Sequence, residues 1–456
     1  MIIAQSNEAK RRRGIVHVPS MDDFFCAFIR ASTGSLPPLL AVCSSFRLFF
    51  FFPGGVARRE GAMSDEIEPH VERRYEIVQK LGKGAYGIVW RAIDRKTRAT
   101  VALKKVFDGF SNTTDAQRTY REVMFLQRVQ HDNIIKLLNV IRSENKVDLY
   151  IVFELMETDL HATIRGNILQ DIHKQFVTYQ LLRCIRFLHR HQIIHRDLKP
   201  ANLLLNSDCH MKLADFGLAR SVDQATSDIS TTVVRPVLTE YIATRWYRPP
   251  EIVVGSLRYG KPMDIWSIGC VIAEMLTGRA LFQGSSTMNQ LERIVAAIGM
   301  PSPADLESME SQFTDTMMGN LPTVQPKPLK QVLSTCPRDA VDLISKMLVF
   351  NPNHRITAEL AMRHPYVAGF CTADELNPDP PAEAIVLPLP DNQRLTVDAY
   401  RDALYKDILR RKREIRRKKR EKKAAREAKA AAGGKTETGG AGDPDYEDDY
   451  EDDGAP

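Results

Sequence analysis

Cysteine is scarce in this sequence, and the few that occur are not paired. None of the seven lies in a Cys-x-x-Cys pair or shows the spacing of metal ligands. An odd, dispersed set is typical of a reducing compartment rather than of a disulfide framework. Cys184 and Cys270 stand in apolar helical contexts, so we expect both to be small buried hydrophobic residues.

A long uninterrupted apolar run is also missing, and no membrane span is predicted. The most apolar stretch, residues 36–52, is short, contains Arg47 and lies too far from the start for an ordinary signal peptide. Residues 1–62 therefore have two interpretations, a targeting segment or a disordered extension that precedes a true initiator at Met63. We expect the disordered extension.

The middle of the chain has no excess of charge of either sign. Residues 1–62 carry about +4, residues 410–429 about +10 and residues 443–453 about −8. Bulk electrostatic attraction is therefore not the main basis of binding in the central part.

Hydrophobic periodicity predicts an α+β fold with two lobes. Apolar or alternating runs predict strands at 75–81, 88–93, 100–106 and 149–153, with one helix at 117–129. From about residue 171 the apolar residues recur at three- and four-residue steps, and no internal repeat is found. We expect a domain over 75–367, with a small β-rich N-terminal lobe (75–155) and a larger helical C-terminal lobe (156–367).

Residues 368–456 are predicted to form an extension that packs on this domain and then leaves it. Thr396 is a candidate N-cap for a helix from 397 to about 432, which Gly433 and Gly434 would end. Residues 368–409 should pack through Tyr400, Leu404 and Ile408, whereas residues 410–432 form a basic charged helix. Residues 433–456 are acidic and have nothing to bury, so we expect them to be disordered.

The basic run 410–429 has three interpretations. It is a nuclear-localisation signal, a patch for acidic partners or nucleic acid, or a solvated single helix. Because aromatic residues do not interrupt the run, base stacking is not expected and nucleic acid is an unlikely partner.

Three glycines between two predicted strands suggest a phosphate-binding hairpin. Gly82, Gly84 and Gly87 would let a hairpin fold over a triphosphate and offer backbone N–H groups to it. A dinucleotide-binding fold uses similar spacing, but there a helix follows the glycines, whereas here a strand does.

A lysine on the next strand and an acidic residue on the following helix extend this pattern. Lys104, in Val101-Ala102-Leu103-Lys104, can reach the α- and β-phosphates, and Glu122 can hold it in place. A lone strand lysine is ordinarily a solvated edge residue. The order and spacing favour the phosphate-binding role here.

The stretch His195-Arg-Asp197-Leu-Lys199-Pro-Ala-Asn202 carries most of the predicted chemistry. Phosphoryl transfer needs an oriented hydroxyl and neutralised phosphate charge. Asp197 can accept the hydroxyl proton, and Lys199 can lie against the γ-phosphate, as in serine/threonine rather than tyrosine kinases. Asn202 and Asp215, the latter in Asp-Phe-Gly, offer the oxygen ligands that magnesium prefers.

Further residues are expected to bind the nucleotide or brace the large lobe. Ala102 and Leu204 should sandwich the adenine, and the backbone of Glu154 to Met156 should supply its hydrogen bonds. Glu251 and Arg355 are candidates for a buried ion pair, and Asp264 for holding the catalytic loop through backbone N–H groups. The predicted ATP-binding residues are Leu81, Gly82, Gly84, Gly87, Val89, Ala102, Lys104, Glu122, Glu154, Met156 and Leu204.

On these motifs, residues 75–367 and 395–408 resemble a mitogen-activated protein kinase. Thr239-Glu240-Tyr241 is similar to the dual phosphorylation motif of the extracellular-signal-regulated branch. The segment after Lys104, Phe153 and the insert 221–237 resemble the atypical members of that branch.

The resemblance implies an enzyme that uses ATP and Mg²⁺ to phosphorylate serine or threonine, followed by proline, in protein substrates. Thr239 and Tyr241 would be phosphorylated to activate it, by the enzyme itself rather than by an upstream kinase. Arg121, Arg196 and Arg220 would gather around phosphothreonine 239, and Arg245 and Arg248 around phosphotyrosine 241. A monomer in the cytoplasm or nucleus is expected.

Two departures and two rival functions remain. Pro249 precedes Pro250-Glu251 where the family has alanine, and the acidic docking patch is reduced to Asp374 and Glu375. Docking of basic partner motifs is therefore open. One rival function is a cyclin-dependent-kinase-like enzyme, which the tyrosine two residues after Thr239 disfavours. The other is a kinase-like scaffold, which the complete set of catalytic residues disfavours.

Overall fold

The computed structural model describes residues 66–84, 87–222, 245–256, 260–322, 325–377, 382–391 and 393–431. The predicted disordered segments, 1–62 and 433–456, lie outside these ranges. So do Thr239, Tyr241 and most of the insert 221–237.

The N-terminal lobe is built on one five-stranded antiparallel sheet. A short helix, α1 (Pro69–Glu72), precedes the sheet in the chain. The strands of the sheet lie side by side in the order β1-β2-β3-β5-β4. The bounds are β1 (Tyr75–Gly84), β2 (Gly87–Asp94), β3 (Thr100–Val106), β4 (Leu137–Arg142) and β5 (Leu149–Glu154). Alternation of apolar residues brings one face together in a core that includes Tyr75, Val101, Leu103, Tyr150 and Val152.

One long helix, α2 (Thr113–Leu126), crosses this lobe. The side chain of Asn112 caps it by accepting the N–H groups of Thr114 and Asp115, each at 3.0 Å. The helix therefore begins four residues before the predicted start at 117 and ends at 126 rather than 129. Every residue from Thr119 to Leu126 is buried, the charged Arg121 and Glu122 included.

The C-terminal lobe is helical, as predicted, and is centred on two buried helices. These are α4 (Asp171–Arg190) and α6 (Lys261–Thr277), which carry the buried Cys184 and Cys270. The shorter helices are α3 (Leu160–Arg165), α5 (Pro250–Val253), α7 (Thr287–Ile298), α8 (Pro303–Ser308), α9 (Thr314–Gly319), α10 (Leu329–Val332), α11 (Arg338–Met347), α12 (Ala358–Met362), α13 (Pro365–Ala368) and α14 (Ala373–Leu376).

Short strands at the top of this lobe position the loops between them. β6 (Thr158–Asp159), β8 (Leu203–Leu205) and β9 (Met211–Leu213) form a three-stranded sheet in the order β6-β8-β9. β7 (Ile193–Ile194) pairs with β10 (Arg220–Ser221). The loop between β7 and β8 and the loop between β9 and β10 therefore lie side by side.

The chain ends in a helix of 35 residues, α15 (Val397–Ala431). The hydroxyl of Thr396 accepts the N–H of Ala399 at 3.2 Å, as expected of an N-cap. Tyr400, Leu404 and Ile408 are buried, and the ring of Tyr400 lies 5.6 Å from that of Tyr120 on α2. The first half of the helix therefore packs against α2. No helix in the described ranges is both long enough and apolar enough to cross a membrane.

Candidate active site

Lys104 and Glu122 form an ion pair between the sheet and helix α2. Nζ of Lys104 lies 2.8 Å from Oε1 of Glu122, and both side chains are largely buried. The sequence predicted this pair. It fixes the height of α2 against β3, and so positions the lysine at the mouth of the lobe.

The glycine hairpin places β1 above Lys104. Gly84 pairs with Gly87, Gly82 with Val89, and Val89 in turn with Lys104. A Cβ at Gly87 would lie 2.1 Å from the carbonyl oxygen of Lys105, so only glycine allows the strands to approach this closely.

The predicted adenine-binding residues lie where the two lobes join. Ala102 on β3 pairs with Phe153 on β5, and Glu154 ends that strand. The N–H of Glu154 donates to the carbonyl of Lys136 at 3.2 Å, so the backbone of Glu154 can only accept a hydrogen bond from a ligand, through its carbonyl oxygen. Two residues further on, Met156 is buried. Leu204 reaches the same junction because β8 pairs with β6.

The catalytic loop gathers Asp197, Lys199 and Asn202 into one buried group. Oδ2 of Asp197 lies 2.7 Å from Nζ of Lys199 and accepts Nδ2 of Asn202 at 3.1 Å. Nδ2 of Asn202 also donates to the backbone carbonyl of Asp197 at 2.8 Å. Both bonds use the nitrogen of the amide, which leaves Oδ1 of Asn202 as its ligand atom for a cation.

Asp264, on α6, holds this loop in the manner that the sequence predicted. Its carboxylate accepts the backbone N–H groups of His195 and Arg196, each at 2.9 Å, and contacts Nε2 of His189 at 3.0 Å. Burial alone would raise the pKa of Asp264, but the hydrogen bond and charge of His189 keep it below its ordinary value. The bonds hold Arg196 at φ 72°, a conformation that non-glycine residues rarely adopt.

Asp215 has a partner that the sequence analysis missed. Nη2 of Arg118, on α2, lies 2.8 Å from Oδ2 and 3.1 Å from Oδ1 of Asp215. Burial would raise the pKa of Asp215, but the charges of Arg118, Lys104 and Lys199 more than offset it, and the carboxylate stays ionised. These Coulombic contributions also mean that the predicted groups share one site.

Spacing could have identified Arg118. It lies four residues before Glu122, which is one helical turn, so both side chains point toward the same cleft. A Cβ at Gly217 would lie 2.5 Å from the side chain of Arg118, so the glycine after Phe216 provides the room for this contact.

The residues present fit a magnesium ion. Asp215 offers an ionised, buried carboxylate and Asn202 offers an amide oxygen, the hard ligands that Mg²⁺ prefers. The backbone links the two, because the N–H of Ala214 donates to the carbonyl of Asn202 at 2.9 Å.

The three arginines predicted to bind phosphothreonine 239 come close together. Arg121 is affected by the charges of both Arg196 and Arg220, although the three belong to different elements. A carboxylate that the sequence analysis did not single out, Asp391, lies between Arg121 and Arg220.

The two arginines predicted for phosphotyrosine 241 lie in or next to one short helical turn. Arg245 begins the 3₁₀ turn Arg245–Tyr247, and the N–H of Arg248 closes that turn on the carbonyl of Arg245 at 3.1 Å. Nη1 of Arg245 donates to the carbonyl of Ser285 at 3.2 Å. The two phosphorylation sites themselves lie outside the described residues.

The predicted brace of the large lobe is present. Both terminal nitrogens of Arg355 contact the carboxylate of Glu251, each at 2.7 Å, and both side chains are almost fully buried. Pro250, preceded by Pro249, begins α5, where a proline in the first turn costs no helical hydrogen bond.

Comparison with known proteins identifies the family. The profile described as "Protein kinase domain" matches residues 75–367. "Extracellular signal-regulated kinase 2" of Dictyostelium discoideum is 53% identical over 353 residues, which is 77% of this chain and 94% of that protein. This chain is a protein kinase of the mitogen-activated type.

The kinase has other relatives of the same type. "Mitogen-activated protein kinase 15" of Xenopus laevis is 51% identical over 77% of this chain, but only 59% of that longer protein is covered. The protein of the same name from Caenorhabditis elegans is 49% identical. The predicted enzyme class, a serine/threonine kinase that acts on proteins, is therefore confirmed, as are the bilobal fold and the similarity to the atypical branch. Family membership brings ATP as phosphate donor and a general dependence on Mg²⁺.

Proposed function

We propose that the kinase transfers phosphate with Asp197 as the residue that accepts the proton of the substrate hydroxyl. Support comes from its surroundings, because Lys199 and Asn202 both contact Oδ2 and leave Oδ1 for the hydroxyl. Nζ of Lys199, only 2.7 Å from Oδ2 of Asp197, lies where it can neutralise the γ-phosphate. This group of three residues is the observation that carries the proposal.

Lys104, fixed by Glu122, orients the α- and β-phosphates in this proposal. Asn202 and Asp215 would hold Mg²⁺, which would supply positive charge to neutralise the phosphates during transfer. Hydrophobic contact with Leu81, Val89, Ala102 and Leu204 holds the adenine between the lobes.

Activation follows phosphorylation of Thr239 and Tyr241, which the kinase carries out on itself. Support for the first site is the convergence of Arg121, Arg196 and Arg220 at the point where α2, the catalytic loop and β10 meet. Guanidinium groups match phosphate oxygens, and a phosphate adds about −1.5 to −2 charge. We assign Arg245 and Arg248 to phosphotyrosine 241. Their contact with this phosphate would order the surface that accepts a proline after the target residue.

Partner docking through the acidic patch is weak in this proposal. The carboxylate of Glu375 already accepts the hydroxyl of Tyr179 at 2.9 Å and contacts Nε of Arg183 at 2.9 Å. Only Asp374 is left for a basic docking motif. We propose a monomer that works in the cytoplasm or the nucleus.

Loss of transfer in Lys104→Met tests the active-site assignment. With a generic basic-protein substrate, we expect activity to fall by at least about a thousandfold while the fold is retained, because the phosphates lose their positioning cation. Lys96→Met, at an exposed turn of the same lobe, is the matched control. Undiminished activity in Lys104→Met would refute the assignment.

Self-activation is tested by mass spectrometry of protein made in bacteria. We expect phosphate on Thr239 and Tyr241 in the wild type and on neither residue in Asp197→Ala. Phosphate on both residues in the variant would assign activation to another kinase.

A further inference from the structure

A carboxylate from the C-terminal extension lies in the arginine cluster. Oδ1 of Asp391 is 2.7 Å from Nε and 2.6 Å from Nη2 of Arg121, and Oδ2 is 3.7 Å from Nε of Arg220. Arg121 and Asp391 are 270 positions apart in the chain. Asp391 thus contacts two of the three arginines that we assign to phosphothreonine 239.

The contact is buried and lies among several positive charges. Arg121 is 3% exposed and Asp391 is 8% exposed. The pKa of Arg121 is lowered to about 10, mainly by burial; the charge of Asp391 opposes this lowering, and the charges of Arg220 and Arg196 contribute to it. Asp391 therefore lies among three guanidinium groups whose positive charges repel one another.

The segment around Asp391 is anchored independently of this ion pair. The hydroxyl of Ser221, on β10, donates to the carbonyl of Ile385 at 2.7 Å, and the N–H of Ile385 donates to the carbonyl of His191 at 3.0 Å. The N–H of Leu389 donates to the hydroxyl of Tyr120 at 3.3 Å. The extension thus links α2, the end of α4 and β10, and it presents Asp391 where those elements meet.

Helix α2 connects this cluster to the nucleotide site. Arg121, which contacts Asp391, is the immediate neighbour of Glu122, which contacts Lys104. Repulsion among the arginines would push Arg121, and α2 with it, away from the catalytic loop. An anion in the cluster prevents this displacement.

We propose that Asp391 is a positioning residue that replaces phosphothreonine in the unphosphorylated kinase. Its carboxylate holds Arg121 and Arg220 together, keeps the Lys104–Glu122 pair closed and so sustains the activity with which the kinase first phosphorylates itself. The proposal rests on the proposed function of Thr239. A phosphate of about −2 charge would later hold the same arginines together, and Asp391 would then become redundant.

Hydrogen exchange tests the positional effect without any need for catalysis. In an Asp197→Ala background, we expect Asp391→Asn to speed amide exchange in residues 113–126 by about tenfold and Asp391→Glu to restore protection. Asp407→Asn is the matched control, since Asp407 is equally buried and contacts Arg128 near the same helix, but not this cluster. Unchanged exchange in Asp391→Asn would overturn the proposal, as would an equal effect in Asp407→Asn.

Kinetics test the redundancy with the phosphate. In a Thr239→Ala background, we expect Asp391→Asn to lower kcat by about tenfold, the size of coupling found within one ionic network. In protein phosphorylated at Thr239, the same change should lower kcat less than about twofold. An equal loss in both forms would mean a merely structural role, and a rise in the Thr239→Ala background would mean that Asp391 restrains the kinase. Either result would overturn the proposal.

Failure of the proposed function is separable from these outcomes. Thr239→Ala and the phosphorylated protein are compared twice, once with Asp391 intact and once with Asp391→Asn. If the two forms are equally active in both comparisons, Thr239 is not the activating site. If Lys104→Met retains activity, the site assignment is wrong. The exchange measurement reports on Asp391 in either case.

Discussion

Arg118 and Asp215 are joined through both oxygens of the carboxylate, at 2.8 and 3.1 Å, across the cleft between the lobes. Asp215 is also one of the two side chains assigned to Mg²⁺. The guanidinium and the metal are therefore assigned to the same carboxylate, and we expect contact with Arg118 to weaken metal binding.

Arg118→Ala should therefore lower the Mg²⁺ concentration needed for ADP binding. A charged hydrogen bond contributes about 1.5–3 kcal/mol, so we expect half-saturation at about a tenfold lower Mg²⁺ concentration. Calorimetric titration of ADP at several Mg²⁺ concentrations measures this. Arg118→Lys keeps a cation, so its Mg²⁺ requirement should lie between those of the wild type and Arg118→Ala. An unchanged Mg²⁺ requirement in Arg118→Ala would show that the metal and Arg118 do not compete.

Arg355→Met should strongly destabilise the large lobe. Arg355 contacts both oxygens of Glu251 and also donates to the carbonyls of Val349 and Phe350. Removing one partner of a buried ion pair costs about 3–5 kcal/mol. Urea denaturation should give a loss of this size, and a smaller one in Glu251→Gln, which keeps a hydrogen bond. A loss below about 1 kcal/mol in Arg355→Met would contradict the assigned role.

Stability should fall between pH 6.5 and pH 4 because of His131. Burial lowers the pKa of His131 to about 4, and Arg183 and Lys212 lower it against the opposing charges of Asp132 and Glu375. Its Nδ1 accepts the N–H of Asn133 at 3.0 Å, a bond that protonation removes. The contribution is full above pH 6.5, the ordinary value, and is lost as pH falls toward 4.

The change at pH 4 should amount to about 3 kcal/mol. His131→Asn keeps an acceptor two residues before that N–H but does not titrate. Denaturation at pH 7 and pH 4 should therefore show a smaller difference in the variant. Equal pH dependence in both proteins would exclude His131 as the source.

Tyr400→Ala should loosen the extension from helix α2. The side chain is 1% exposed, and its hydroxyl donates to the carbonyl of Gln393 at 3.2 Å. Truncating a buried aromatic residue costs about 3–5 kcal/mol, whereas Tyr400→Phe should cost only about 1 kcal/mol. Thermal denaturation, with hydrogen exchange in residues 113–126, distinguishes the two. Similar losses in both variants would mean that the hydroxyl, not the ring, provides the contact.

Local patterns in the sequence predicted most of the fold and the central part of the site. Strand β3 has the predicted bounds, and Lys104 meets Glu122 because sheet and helix place them at the expected spacing. Strand β4 was missed because a polar residue, Asn139, interrupts its apolar run. That amide is buried against the hydroxyl of Tyr75 at 3.1 Å, a contact that only the folded sheet creates.

Contacts between distant segments could not be predicted in this way. Asp391 lies in a proline-rich stretch with no periodic pattern, and its partner Arg121 is 270 residues away. Arg118 was within reach of a spacing argument, but its partner Asp215 lies 97 residues further on. Ion pairs of this kind depend on how the elements dock, which a residue pattern does not encode.

The last helix, α15, is one continuous element whose first half is docked on the domain and whose second half continues beyond those contacts. Its docked part contacts the residues that directly follow α2: Asp407 contacts Arg128, and Arg411 donates to the carbonyl of Gln127. The 22 residues from 410 to 431 extend it by about 33 Å. A force applied at the far end of this helix would act as a torque on its docked part, which lies next to the helix that carries Glu122. We therefore expect a force on the tail to bear on the helix that holds the Lys104–Glu122 pair together.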